Sequence, residues 1–224
     1  MLVKACAKLT RSLRVVGVRD DGYHLIDAEM VSLDLCDDLE ITEGEIDLPA
    51  DNLVSRALAA VGRQAHVRLV KRIPMGAGLG GGSADAAAVL RWTGCRDLSV
   101  AASLGADVPF CVVGGRARVG GIGEVVEPLP FEPLAFTLLT PPLHVSTPAV
   151  YATWDSLGGP TSDGPNDLEP AALAVEPALA RWRDRLGDAT GRTPVLAGSG
   201  GTWFVDGEFP GDDRVVVRAT PASG

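Results

Sequence analysis

Residues 74–90 read PMGAGLGGGSADAAAVL: Gly76, Gly78, Gly80, Gly81 and Gly82 crowd a short loop that runs through Ser83 into an alanine-rich segment. Glycine loses more backbone freedom on folding than any other residue, so such density asks for a reason beyond simple connection. A loop that must curl, turn several N–H groups inward and let a ligand approach closely supplies one. The segment from Ser83 to Trp92 reads as a helix, and its N-terminus adds unpaired N–H donors and the positive end of the dipole. The ligand that suits this arrangement is a phosphate.

The two common phosphate loops fit poorly. Gly76-x-Gly78-x-x-Gly81 has the dinucleotide spacing, but that fingerprint follows a buried, nearly all-apolar strand. Here the preceding strand, His66 to Ile73, alternates apolar residues with Arg68, Lys71 and Arg72, and Pro74 interrupts the approach. A nicotinamide-binding oxidoreductase is therefore disfavoured. A nucleoside-triphosphate loop of the Gly-Lys-Ser/Thr type needs a lysine that this loop lacks. A flexible surface loop is the plain alternative, although such loops seldom run straight into a helix.

The formal charge of −9 over 224 residues argues against a general nucleic-acid or anionic-membrane binder. It leaves a nucleotide ligand open, because a nest of backbone N–H groups acts independently of net charge. No apolar run reaches the ~20 residues that span a bilayer. The N-terminus MLVKACAKLT reads as a strand rather than a signal peptide. The four cysteines, Cys6, Cys36, Cys95 and Cys111, are widely spaced, with Cys36 and Cys111 among apolar neighbours. They suggest neither a zinc site nor a disulfide framework, and so a reducing cytoplasm.

Working outward, residues 2–18 and 25–35 read as strands about the turn Asp20-Asp21-Gly22, with a short strand at 39–42. Asp51 or Asn52 caps a helix closed by Gly62, and Asp97 or Ser99 caps a short one ending at Gly105. Phe110–Val113 and Arg116–Val119 read as paired strands. Pro128, Pro130 and Pro133 mark a domain boundary. Beyond it the pattern predicts a strand at 135–139, helices near Tyr151, 168–174 and 178–186, and strands at 194–197, 202–205 and 214–218. Strands and helices mix without a βαβ repeat, which favours α+β.

The form Pro-x-x-x-Gly-Leu-Gly-Gly-Gly-Ser resembles the ATP-binding motif of the GHMP kinases. Other segments resemble motifs of the same family, in the same order: Ala7-Lys8-Leu9, Arg19-x-Asp21-Gly22-Tyr23-His24, Asp51-Asn52-Leu53, Leu104-Gly105-Ala106-Asp107-Val108-Pro109-Phe110, Thr147-Pro148, Asn166-Asp167-Leu168 and Gly198-Ser199-Gly200. Together they cover nearly the whole chain. The resemblance implies a two-domain fold, with an S5 domain 2-like N-terminal domain at residues 1–128 and a ferredoxin-like C-terminal domain at 129–224. It implies an active site between the two, ATP and Mg²⁺ as cofactors, and a cytoplasmic kinase.

It also implies roles. Asn52, Pro74, Gly76, Gly78, Leu79, Gly80, Gly81, Gly82 and Ser83 would bind ATP, with Ser83 near the metal. Lys8 and Asp107 would form the catalytic pair. Thr10, Tyr23, His24, Thr147 and Tyr151 would bind the substrate, implied to be a cytidine diphosphate conjugate of methylerythritol phosphorylated on its 2-hydroxyl. Each has a plainer reading from the residues alone. Asp107 could be a helix cap, Lys8 a solvent-facing lysine, His24 an exposed turn residue, Asn52 a cap, Tyr151 a core aromatic and Gly198–Gly201 a tight turn. Thr10 departs from the motif, which usually carries Asn there, and the stretches 43–51 and 93–97 are short for the family. Another GHMP small-molecule kinase, or a nucleotide-binding pseudokinase without turnover, remains the alternative.

Overall fold

The computed structural model describes residues 1–222. The Val- and Leu-rich N-terminus forms two long antiparallel strands, β1 (Leu2–Val18) and β2 (His24–Thr42), joined by the turn at Gly22. The second strand absorbs both segments expected as separate strands. Its other edge pairs in succession with β3 (His66–Val70), along residues 38–42, and β4 (Arg116–Gly121), along residues 26–31. Strand β5 (Val125–Leu129) closes this five-stranded sheet. Pro128 is accommodated because β5 is an edge strand, where a missing N–H costs no ladder bond.

Helices α1 (Leu53–Ala60), α2 (Gly81–Trp92), α3 (Leu98–Leu104) and α4 (Val108–Val113) pack together, with α2 against β1. Asn52 and Asp97 cap α1 and α3 through their side chains. Ala86, Ala87 and Ala88 are wholly buried, small enough to let α2 lie close to its neighbours. The strand expected at Phe110–Val113 is the helix α4 instead. A short apolar run buried on all sides has no periodicity to separate strand from helix, and Pro109 in the first turn with Gly114 just past the end suits a helix.

The second sheet has the order β7-β8-β6-β9, built from β6 (Ala135–Leu139), β7 (Val195–Leu196), β8 (Trp203–Asp206) and β9 (Val215–Arg218). Helices α5 (Thr147–Ser156), α6 (Glu169–Val175) and α7 (Leu179–Thr190) accompany it. The sheets are joined beyond the connecting loop. Residues after β9 return to β2, where Thr220 N–H donates to the Ser32 carbonyl at 2.9 Å and Leu33 bridges Ala219. Leu13 bridges Asn166, and a single buried apolar cluster includes residues of both sheets.

The cysteine reading is corrected. Cys6 and Cys36 face each other in the β1–β2 register and form a disulfide; Cys95 and Cys111 are free. Thirty residues separate the pair in sequence, and only the strand register brings them together. The reducing-compartment inference drawn from an absent disulfide therefore loses its basis.

Candidate active site

The site begins with an irregularity in β1. Strand register shifts between Cys6 and Lys8, so Lys8 N–H is turned away from the regular ladder and donates to the Leu79 carbonyl of the glycine loop at 3.0 Å. Ala5, Ala7 and Leu9 enter the core, and Lys8 and Thr10 take the opposite parity. The Lys8 side chain is nonetheless buried, 7% exposed. Its ammonium lies 3.2 Å from Asp107 Oδ2 and donates to Thr10 Oγ1 at 3.0 Å. An unpaired ammonium buried to this degree would be costly, which explains both partners. Asp107 stands at the N-cap position of α4 but makes no side-chain cap bond; its carboxylate turns to Lys8 instead.

The glycine loop fits closely against this pair. Gly80 has φ +69°, and a Cβ there would lie 2.8 Å from Lys8 Cγ. Gly78 has φ +75°, and a Cβ there would meet the Gly200 carbonyl at 2.4 Å. The loop of residues 74–82 and the second glycine loop, 198–201, thus pack backbone to backbone. Buried Thr202 Oγ1 donates to the Ala77 carbonyl at 2.7 Å, and Asn166 Nδ2 donates to the carbonyls of Leu196 at 2.8 Å and Gly198 at 2.7 Å. Thr147 Oγ1 and Ser199 Oγ lie 2.7 Å apart.

Two cavities open around the loops. The larger, about 860 Å³, is lined by Lys8, Thr10, Tyr23, His24, Asp107, Thr147, Tyr151 and Ser199 among others. The smaller, about 490 Å³, is lined by Asn52, Lys71, Pro74, Gly76, Leu79, Gly81, Gly82 and Asp85 among others. Gly78, Gly80 and Ser83 line both. Every residue assigned from the resemblance therefore borders one cavity or the other. Asn52 does both things considered for it, capping α1 through Oδ1 while bordering the smaller cavity.

In the larger cavity, burial and the Asp107 charge push the Tyr151 hydroxyl up to about 12, so it stays a neutral donor and acceptor at working pH. The His24 ring lies 4.6 Å from the Tyr151 ring and meets Trp154 edge-on at 5.5 Å. Tyr23 is 59% exposed at the cavity's border.

Sequence reasoning missed two groups. Beside the smaller cavity, Lys71 Nζ donates to Asp37 at 2.5 Å and Asp85 at 2.6 Å, while Asp37 also accepts from the Arg72 and Ile73 N–H groups. Burial raises the Asp85 carboxyl to about 6. This cluster ties β2 to the approach of the glycine loop. The second is Asp155, whose Oδ1 lies 2.8 Å from His24 Nε2. Its signal was spacing: Thr147, Tyr151 and Asp155 recur every four residues on one face of a helix.

Residues 52–115 match the GHMP kinases N terminal domain. The chain is 39% identical to the 4-diphosphocytidyl-2-C-methyl-D-erythritol kinase of Paracoccus denitrificans, over 89% of this chain and 84% of the relative. It is 38% identical to that of Ruegeria pomeroyi, over 93% and 88%. A crystal structure of 4-(cytidine 5'-diphospho)-2C-methyl-D-erythritol kinase superposes with a TM-score of 0.79 and 30% identity, covering 98% of this chain and 100% of the other. A mevalonate kinase shares the fold at a TM-score of 0.61 and 12% identity, covering 100% of both chains. On sequence and fold together, the chain belongs to the 4-diphosphocytidyl-2-C-methyl-D-erythritol kinase family of the GHMP kinases.

Proposed function

We propose that the protein transfers the γ-phosphoryl group of ATP to the 2-hydroxyl of 4-diphosphocytidyl-2-C-methyl-D-erythritol. The observation that carries this reading is the Lys8–Asp107 pair beside a glycine loop shared by two cavities. The smaller cavity takes the nucleotide, the loop's N–H groups take its phosphates, and the larger cavity takes the alcohol. Phosphoryl transfer asks the protein mainly for positioning and charge neutralisation. Asp107 accepts the hydroxyl proton as the oxygen attacks. Lys8, with three donors and two of them engaged by Asp107 and Thr10, has one left for the transferring group. Thr10, where the family motif usually carries Asn, serves here by holding that ammonium.

Mg²⁺ keeps several waters and takes part of its coordination from substrate phosphates, so it asks for few protein ligands. Ser83, bordering both cavities at the start of α2, would be its protein ligand. When bound, the ion would neutralise charge on the nucleotide's phosphates. Dependence on ATP puts the proposed reaction in the cytoplasm. The same proposal divides the chain into working halves at residues 128/129, a boundary that falls within the last two residues of β5. No helix among the described residues is long and apolar enough to cross a membrane.

The test is coupled ADP release with the cytidine diphosphate substrate, comparing wild type with Asp107→Asn. The amide keeps the shape and loses the proton acceptor, so kcat should fall about 10²–10⁴-fold with the ATP KM little changed. No ADP release by the wild type overturns the reading. Equal rates remove Asp107 from its role.

A further inference from the structure

The larger cavity contains an imidazole whose orientation is unusually well fixed. His24 opens β2 with its side chain 10% exposed. One face approaches Tyr151 at 4.6 Å with a 35° tilt, and Trp154 meets it edge-on at 84°. Trp154 is itself held, its indole N–H donating to the Pro160 carbonyl at 2.9 Å. These contacts set the plane of the ring. The bond from Nε2 to Asp155 Oδ1, 2.8 Å, sets its rotation within that plane.

That bond also decides where the proton sits. A carboxylate can only accept, so Nε2 must carry the hydrogen. In the neutral ring, Nδ1 is then left with a lone pair and no proton. A free imidazole could present either nitrogen as donor or acceptor, and this one cannot. Asp155 is 52% exposed and borders the cavity, so it is poorly placed to serve as packing.

With the reacting hydroxyl placed at Asp107, the aromatic side of the cavity lined by Tyr23, His24 and Tyr151 is left for the base. We propose that Asp155 is a positioning residue that locks His24 in the Nε2–H tautomer and so makes that end of the cavity select cytosine over uracil. The inference rests on the kinase reading above. Cytosine offers an amino donor at C4, where uracil offers a carbonyl acceptor. A lone pair fixed at Nδ1 can accept from the amino group and meets the carbonyl as acceptor against acceptor. Sites that leave a buried polar group unpaired discriminate more strongly than sites that merely fit a shape.

The experiment measures ADP release with the cytidine and uridine diphosphate conjugates of methylerythritol, and equilibrium binding of CDP and UDP without ATP. Wild type, Asp155→Asn and Asp155→Glu are compared. The asparagine can accept from or donate to Nε2, so both tautomers become available. In that variant the KM for the cytidine conjugate should rise about tenfold, with kcat within about twofold and the ATP KM unchanged. The CDP-to-UDP preference should fall by a similar factor, and Asp155→Glu should restore most of it. A mere tether between α5 and β2 would weaken both nucleotides equally and leave the preference intact, which overturns the proposal. Wild-type turnover with an unaffected Asp155→Asn variant overturns it while sparing the kinase reading. Absence of turnover and of CDP binding by the wild type overturns both.

Discussion

Glycines in this chain with similar positive φ values do different jobs, and substitution separates them. Gly62 has φ +61° with nothing within 4 Å of an added Cβ, whereas at Gly78 the methyl would sit 2.4 Å from the Gly200 carbonyl. Gly62→Ala should cost about 1 kcal/mol of backbone strain and leave kinetics alone. Gly78→Ala must also part the two glycine loops, so we expect a loss of about 2–3 kcal/mol and a raised ATP KM. Thermal melts and initial rates on both variants check this, and matched kinetics would show that the loops need not touch. Glycine density was plain in the sequence, but the sequence could not say which glycines press against another backbone. Similarly, Lys8 and Asp107 lie far apart in the chain and were paired only through resemblance, while nothing in the residues connected His24 with Asp155.

At the level of elements, Glu29 on β2 joins three strands, accepting from Arg11 on β1 at 2.6 Å and from Arg116 on β4 at 2.9 Å. Burial pushes its carboxyl up, yet the two guanidiniums outweigh that and hold it below its ordinary 4.5. A depressed folded-state value stabilises the protein above the unfolded-state value, and the gain disappears as pH falls through the folded one. Glu29→Gln should therefore cost about 1 kcal/mol near pH 7 after solvent screening, with the gap to wild type closing in acid. Urea titrations at pH 7 and below pH 4 measure it; a gap independent of pH would rule out the ion pairs as its source. Most elements were legible from alternation, caps and turn residues, because β1, α1 and α2 carry strong local signals. Residues 110–113 were not, since an apolar run buried on every side looks alike as helix or strand. The Cys6–Cys36 disulfide was hidden for a different reason: strand register is a property of two segments, and neither segment displays it alone.

Across the molecule, Asp167 is a principal tie between the first strand and the second sheet's helices. It is 1% exposed and accepts from Arg14 at 2.6 Å, from Val15 N–H at 3.0 Å and from Ser162 N–H at 2.9 Å. Asp167→Ala would strand those donors, at a cost of about 3 kcal/mol. For a chain of this length that lowers Tm by roughly 6–12 °C. Because the buried cluster is continuous, the calorimetric transition should stay single; two resolved transitions would show that the sheets unfold separately. The return of the chain to β2 after β9 has a further consequence, in time rather than in space. Arg218 N–H reaches Asp34 on β2 at 2.9 Å across 184 positions of sequence, so β2 gains this partner only after every segment between the two has been made. Contacts closed over such separations form slowly. During synthesis the strand that presents His24 and Asp37 must wait with part of one edge unpaired until that segment emerges, and the cavity is not complete until Gly198 and Ser199 have been made.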